Sequence, residues 1–253
     1  MQFLLAFSFF ALGAIVASFV GVLVERLYTG QGFLSGRSRC NACNTPLTPL
    51  ALVPVISYVA LQGRAHCCGA RLPLRAPLTE ALLGVLFVGA YADLGLSFAL
   101  LYFLISLSAL LGLVLYDLSH QILPPSLLII FIAASVAMRY ALSPSLATFS
   151  SSCITAALIA LALALIHFFS RGRAMGFADA PLAFGLALLA GPTALTGFVF
   201  SFWIGAGIGI GLLFTRPRGS RMGVEVPFAP FLAAGFLLAY FTQWNLFAFI
   251  AIP

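Results

Sequence analysis

The chain has 253 residues, 62% of them hydrophobic and only 7% charged, with a formal net charge of +6. An ordinary globular domain is about half apolar and about a quarter charged, so this composition excludes a soluble enzyme with a solvated surface and places the chain in a bilayer. Its basic loops are not a nucleic-acid footprint. No nucleic-acid module accompanies them, and arginines beside apolar spans serve orientation and contact with anionic lipid.

Apolar runs near the roughly 20 residues that a membrane-crossing helix needs recur from one end to the other. The first, 3–24, has neither the positive n-region nor the small-residue cleavage site of a secretory signal before Glu25 and Arg26, and is read as a retained span. Further spans are expected at 78–92, 96–116, 127–142, 147–169, 180–190, 194–214 and 228–250. The fold class is therefore all-α: a polytopic membrane protein with about eight transmembrane helices and a small cytoplasmic cysteine-containing loop domain. Its expected organisation is a first helix over 1–27, the loop domain over 28–77 and a helical membrane domain over 78–253.

The twelve basic residues are all arginine, which makes the orientation countable. With both termini outside, the cytoplasmic loops are 25–77, 117–126, 170–179 and 215–227. They hold Arg26, Arg37, Arg39, Arg64, Arg71, Arg75, Arg171, Arg173, Arg216, Arg218 and Arg221, as the positive-inside rule requires. Arg139 alone falls on the other side.

The polar segment 28–77 carries Cys40, Cys43, Cys67 and Cys68, while Cys153 sits by itself in a predicted span. A cytoplasmic loop disfavours disulfides, so a CxxC followed by a second cysteine pair reads as a metal knuckle with zinc as the first candidate ion. Cys40-Asn41-Ala42-Cys43 has the spacing for two thiolates on one ion. Cys67 and Cys68 are adjacent, an awkward chelate on helix or strand backbone, and His66 offers a nitrogen instead. Reduced cysteines in a small metal-free loop fold are the other reading.

Acidic residues near a membrane core are costly, and there are six in the chain. Glu25 and Glu80 are read as paired or solvated at helix ends, Asp93 as solvated in an outer turn, and Glu225 as part of a surface ion pair. Asp117 and Asp179 differ, since the topology brings one to the cytoplasmic end of the third span and the other to the cytoplasmic start of the sixth. Pro124 and Pro125 turn the chain after Asp117. Gly176, three residues before Asp179, permits close backbone approach or an unusual dihedral. Two neighbouring carboxylates cannot both ionise cheaply, so they share a proton and supply an acid and a base together. His120 is a candidate supporting partner of Asp117. Helix capping is the alternative role for the two aspartates.

These residues resemble the type IV prepilin peptidases, membrane aspartyl proteases that process pilins and type II secretion pseudopilins. The likeness is carried by Ala17-Ser18-Phe19-Val20 through Arg26-Leu27, the cysteine loop from Cys40, Val53-Pro54-Val55-Ile56-Ser57-Tyr58 with Gly63-Arg64, and Arg75-Ala76-Pro77-Leu78-Thr79-Glu80. The D-x(6)-P segment from Asp117, the GxGD-like Gly176-Phe177-Ala178-Asp179, and Val226-Pro227-Phe228-Ala229-Pro230-Phe231 complete it.

The resemblance implies catalytic Asp117 and Asp179 with support from Gly176, a structural zinc on Cys40, Cys43, Cys67 and Cys68, and prepilin or pseudopilin substrates. It further implies N-methylation of the new N-terminus with S-adenosylmethionine, and a multi-pass protein of the bacterial inner membrane with its active site at the cytoplasmic face. Four positions depart from the pattern: Ala178 replaces a glycine, Ala180 replaces a lysine, Gly21 replaces an asparagine, and Ala65 stands where a cysteine is expected. The first favours a non-catalytic prepilin-binding homologue as an alternative. A small membrane transporter, in which buried acids bind protons or ions, is the other.

Overall fold

The computed structural model describes residues 2–29, 40, 42–46, 48, 52–173, 175–215 and 227–247. Its regular elements are helices: α1 Gln2–Arg26, α2 Ile56–Ala60, α3 Arg75–Leu94, α4 Phe98–His120, α5 Pro125–Leu142, α6 Leu146–Ser170, α7 Asp179–Ala190, α8 Ala194–Thr215 and α9 Ala229–Thr242. A 3-10 turn, Gly191–Thr193, joins α7 to α8. There is no β-strand among the described residues; an isolated antiparallel bridge pairs Arg64 with Arg71 within the cysteine segment.

Among the described residues six stretches are long and apolar enough to cross a membrane: α1, α3, α4, α5, α6 and the joined stretch Asp179–Gly211. The expected count of eight is therefore approximate. At 12 residues, α7 spans about 18 Å, short of a hydrocarbon core of about 30 Å. α9 has 14 residues and ends at Thr242, where Gln243 turns left-handed, so it stops short of the expected 228–250, of which 248–250 lie outside the described residues. Also outside them lie Arg37, Arg39, Arg216, Arg218, Arg221, Glu225 and Val226, which the orientation and motif readings had used.

The chain divides into two compact units, Met1–Leu96 and Ser97–Pro253. In the first, α1 lies along α3, and two glycines let their backbones meet: a Cβ on Gly13 would sit 2.8 Å from Gly84 Cα and 2.8 Å from the Leu83 carbonyl oxygen. Small residues at a crossing are how apolar helices gain packing contact in a membrane. α3 thus belongs with α1, whereas the sequence reading groups it with the helices that follow 77. Glu80 is also placed differently from expectation. It is 8% exposed within α3 and accepts the Val55 backbone N–H at 2.8 Å, anchoring a loop residue held at a φ of 61°.

In the second unit α7 is the central element. Leu182, Ala183, Leu186 and Leu188 are wholly buried, with α5, α6, α8 and α9 packed around them. α6 turns much of its surface outward, with only Ala156, Ile159 and Leu163 buried, which suits a helix facing lipid.

The lone exception to the arginine asymmetry has a physical account here. The Arg139 guanidinium, at the end of α5, donates to the carbonyls of Leu188 at 2.8 Å and Leu189 at 3.1 Å. These are orphan acceptors at the α7 C-terminus. Gly191, at a φ of +59°, leaves the room, since a Cβ there would collide with the guanidinium. Arg139 is a helix cap, and its charge is absorbed by carbonyl dipoles.

Candidate active site and cysteine cluster

Asp117 lies in the last turn of α4, which stops because Gln121 takes up a left-handed conformation with a φ of 55° and returns its N–H to the Asp117 carbonyl at 2.8 Å. Pro125 then occupies the first turn of α5, where a missing N–H costs nothing. The chain reverses within a few residues of the aspartate, as the double proline predicts.

Asp179 opens α7. Its backbone N–H donates to the Gly176 carbonyl at 3.3 Å, and its Oδ2 accepts the Gly176 N–H at 3.2 Å. The backbone bond closes a turn in front of α7, and the carboxylate reaches back across that turn to the N–H of its first residue. The expected reason for Gly176 is corrected by this geometry. Its φ is outside the left-handed region, and an added Cβ would meet Asp179 Oδ2 at an ordinary 3.6 Å. What it contributes to the aspartate is its N–H. Ala178 has φ −68° and ψ −15°, a helical conformation open to any residue, so the glycine it replaces is not needed for the turn.

Both aspartates are buried, at 6% and 7% exposure, and their carboxylates are close enough to interact electrostatically. The Ala229 backbone N–H, at the start of α9, hydrogen-bonds the Asp117 carboxylate. Asp117 Oδ2 has no hydrogen-bond partner among the described residues. The site is thus assembled from three helix ends, with one backbone N–H anchoring each carboxylate and a free oxygen remaining on Asp117.

Ala229 is a contributor that sequence reasoning missed, although the proline-phenylalanine motif around it was visible. His167 is another. It bears electrostatically on Asp179, its Nδ1 is 2.9 Å from the Met175 carbonyl oxygen, and its ring meets Phe177 edge-on at 5.6 Å. A histidine near the end of an apolar span is itself the signal that could have found it. His120, the expected supporting residue, stacks on Tyr116 at 4.2 Å.

In the first unit the four loop cysteines converge, their sulfurs all within 4.8 Å of one another. The separations are 3.2 Å for Cys43–Cys67, 3.8 Å for Cys40–Cys68 and 3.9 Å for Cys67–Cys68. Four thiolates about 2.3 Å from a tetrahedral ion would be roughly 3.8 Å apart, so the donor set fits zinc. His66 is exposed and does not join the cluster. The adjacent pair can both take part because 66–68 is a turn. The Thr45 hydroxyl and then the Thr45 N–H pull the Cys43 thiol down to about 6, while hydrogen bonding to the neighbouring sulfurs of Cys43 and Cys40 pushes Cys67 up to about 12.

Residues 11–94 match the bacterial peptidase A24 N-terminal domain, and residues 101–214 match the type IV leader peptidase family. The chain is 30% identical over 236 residues to a prepilin leader peptidase/N-methyltransferase of Bacillus subtilis, covering 91% of this chain and 92% of that protein. The chain belongs to the type IV leader peptidase family. Other members bearing the same name are 31% identical in Burkholderia pseudomallei, covering 91% of this chain and 83% of the relative, and 31% identical in Myxococcus xanthus, covering 85% and 65%. No solved structure matches this leader peptidase family member. The break between the two matched segments, 94 to 101, coincides with the boundary between its two compact units.

Proposed function

We propose that the chain is a membrane aspartyl endopeptidase that cleaves the basic leader peptides of type IV prepilins and pseudopilins, with Asp117 and Asp179 as its catalytic pair. The observation that carries this reading is the free, buried Asp117 Oδ2 beside a second buried carboxylate. A buried oxygen without a partner is costly and calls for an explanation, and water or substrate bound between the two carboxylates supplies one.

The chemistry follows from a pair sharing one proton. The ionised carboxylate takes a proton from water, whose oxygen adds to the carbonyl carbon of the scissile peptide. The protonated carboxylate hydrogen-bonds the developing oxyanion, then gives its proton to the departing amine as the C–N bond breaks. The Gly176 and Ala229 N–H groups hold one edge of each carboxylate, so the other edges are oriented before substrate arrives. The alternative of a non-catalytic homologue loses its motive, because Ala178 sits in an unstrained helical conformation.

Several features are part of the same reading. The site opens at the cytoplasmic face of the bacterial inner membrane, with both termini outside, as the arginine distribution supports. The substrate's apolar helix stays in lipid while its basic leader crosses the site. Cys40, Cys43, Cys67 and Cys68 would hold a zinc ion, which would cross-link the loop of the first unit. The relatives' names also carry N-methyltransferase. In the first unit a Cβ on Gly21 would meet nothing within 4 Å, and the buried Glu80 is engaged by the Val55 N–H.

Mass spectrometry of a co-expressed prepilin tests the proposal, with the wild-type chain and with Asp117→Asn and Asp179→Asn. The expected product is cut just before the apolar helix by the wild type and left intact by both variants. An added methyl on the new N-terminus reads the second activity directly. Full cleavage by either variant would remove that residue from the mechanism.

A further inference from the structure

The two cysteine-bearing turns are copies of one another in backbone geometry. In the first, the Cys40 N–H donates to the Thr45 carbonyl at 2.9 Å and the Asn44 N–H returns to the Cys40 carbonyl at 2.8 Å. In the second, the Ala65 N–H donates to the Ala70 carbonyl at 2.8 Å and the Gly69 N–H returns to the Ala65 carbonyl at 2.8 Å. The left-handed residue falls at the same place in both, Asn44 with φ 57° and Gly69 with φ 69°. The sulfur environment repeats too: Cys43 accepts the N–H of Thr45, two residues on, and Cys68 accepts the N–H of Ala70, two residues on.

Superposing the two patterns by residue order makes Cys68 the counterpart of Cys43, Gly69 of Asn44 and Ala65 of Cys40. Cys40 and Ala65 are each 5% exposed, so Ala65 fills the buried corner that Cys40 fills with a sulfur. Cys67 is the counterpart of Ala42, which carries no donor. Its sulfur nonetheless lies 3.2 Å from Cys43 and 3.9 Å from Cys68. Among the described residues, backbone N–H groups meet the other three sulfurs, whereas the leading interactions of Cys67 are with its neighbours' thiols.

Resting on the reading of the cluster as a metal site, we propose that Cys67 is a displaced ligand, supplying from two residues further along the turn the thiolate that its own buried corner, position 65, does not hold. Two copies of one chelating turn thereby complete a four-thiolate set with an adjacent cysteine pair in the second copy. It follows that position 65 keeps the geometry of a ligand site, and that a cysteine placed there takes over from Cys67.

Four full-length proteins purified in detergent test this: wild type, Cys67→Ala, Ala65→Cys with Cys67→Ala, and His66→Ala. Bound zinc is measured against a graded chelator, and the intensity of the thiolate-to-metal band is read after cobalt(II) substitution. Loss of an outer-shell partner already costs about 10–100-fold in metal affinity, so Cys67→Ala is expected to lose at least about tenfold. The double variant is expected to regain wild-type affinity and band intensity, and His66→Ala to match wild type throughout.

A wild type that binds neither zinc nor cobalt would overturn the metal site itself. Wild-type affinity in Cys67→Ala would overturn only the assignment of Cys67, and a folded double variant without recovery would overturn the equivalence of positions 65 and 67. Alkylation of the unmodified chain, mapped by mass spectrometry, decides the assignment without any variant: zinc should protect Cys67 along with Cys40, Cys43 and Cys68, and free reaction at Cys67 in the zinc-loaded protein contradicts it.

Discussion

The cysteine cluster and the carboxylate site each hold like groups together, by different means. The four sulfurs converge from two short turns closed by their own backbone hydrogen bonds, and three of the four cysteines are exposed. The two carboxylates come from α4 and α7, with α5 and α6 between them in sequence, and are buried where the start of α9 meets them. The first site is local and rests on turn geometry. The second exists only while a helical bundle is packed, so its function and its packing fail together.

The sharpest way to break this contrast is at the carboxylates. Asp117→Asn and Asp179→Asn should each lower the cleavage rate by about 10²–10⁴-fold, measured on a purified prepilin in detergent. The double variant should be no worse than the poorer single one, because the pair acts as a unit. Additive losses would show two independent roles.

At the cysteines the effect is one of thiol reactivity. In metal-free protein at pH 7, Cys43 is a thiolate and Cys67 a thiol, so Cys43 should alkylate roughly a hundredfold faster after allowing for its lower intrinsic nucleophilicity. The sign follows from the shifts: the Cys43 thiolate persists as pH falls to about 6 and is lost below it, whereas Cys67 ionises only as pH rises toward about 12. Equal rates at the two positions, read by mass spectrometry, would contradict this picture.

Smaller effects test the packing of the second unit. A Cβ on Gly235 would collide with the Ser201 backbone and hydroxyl, so Gly235→Ala should force α8 and α9 apart and cost about 1–3 kcal/mol, seen as a lowered thermal midpoint in detergent. Arg139→Leu strands the Leu188 and Leu189 carbonyls and should cost about 1–3 kcal/mol. An unchanged midpoint in Arg139→Leu would show that the α7 cap is dispensable.

Much of this molecule was legible in its sequence. The apolar runs announced a helical membrane protein, Pro124 and Pro125 announced the turn after Asp117, and the CxxC announced a cluster. Less legible were features whose cause lies between distant segments. Nothing local marks the Ala229 N–H as a partner of Asp117, because a backbone donor has no residue identity to recognise. Glu80 reads as a paired or solvated helix-end acid because its actual partner is the N–H of Val55 in a loop. Cys67 and Cys68 look like a poor chelate on helix or strand backbone, whereas a turn ended by Gly69 brings both sulfurs to the cluster.

The sequence by itself determined the all-helical membrane character, the family, and which residue types could do the chemistry, since hydrophobic run length and side-chain identity are properties of the chain alone. Tertiary structure decided the rest. Packing α7 among α5, α6, α8 and α9 brought Asp179 to Asp117, left one carboxylate oxygen free and drew Arg139 onto a helix end, because partners for buried polar groups are chosen by which segments fold against one another.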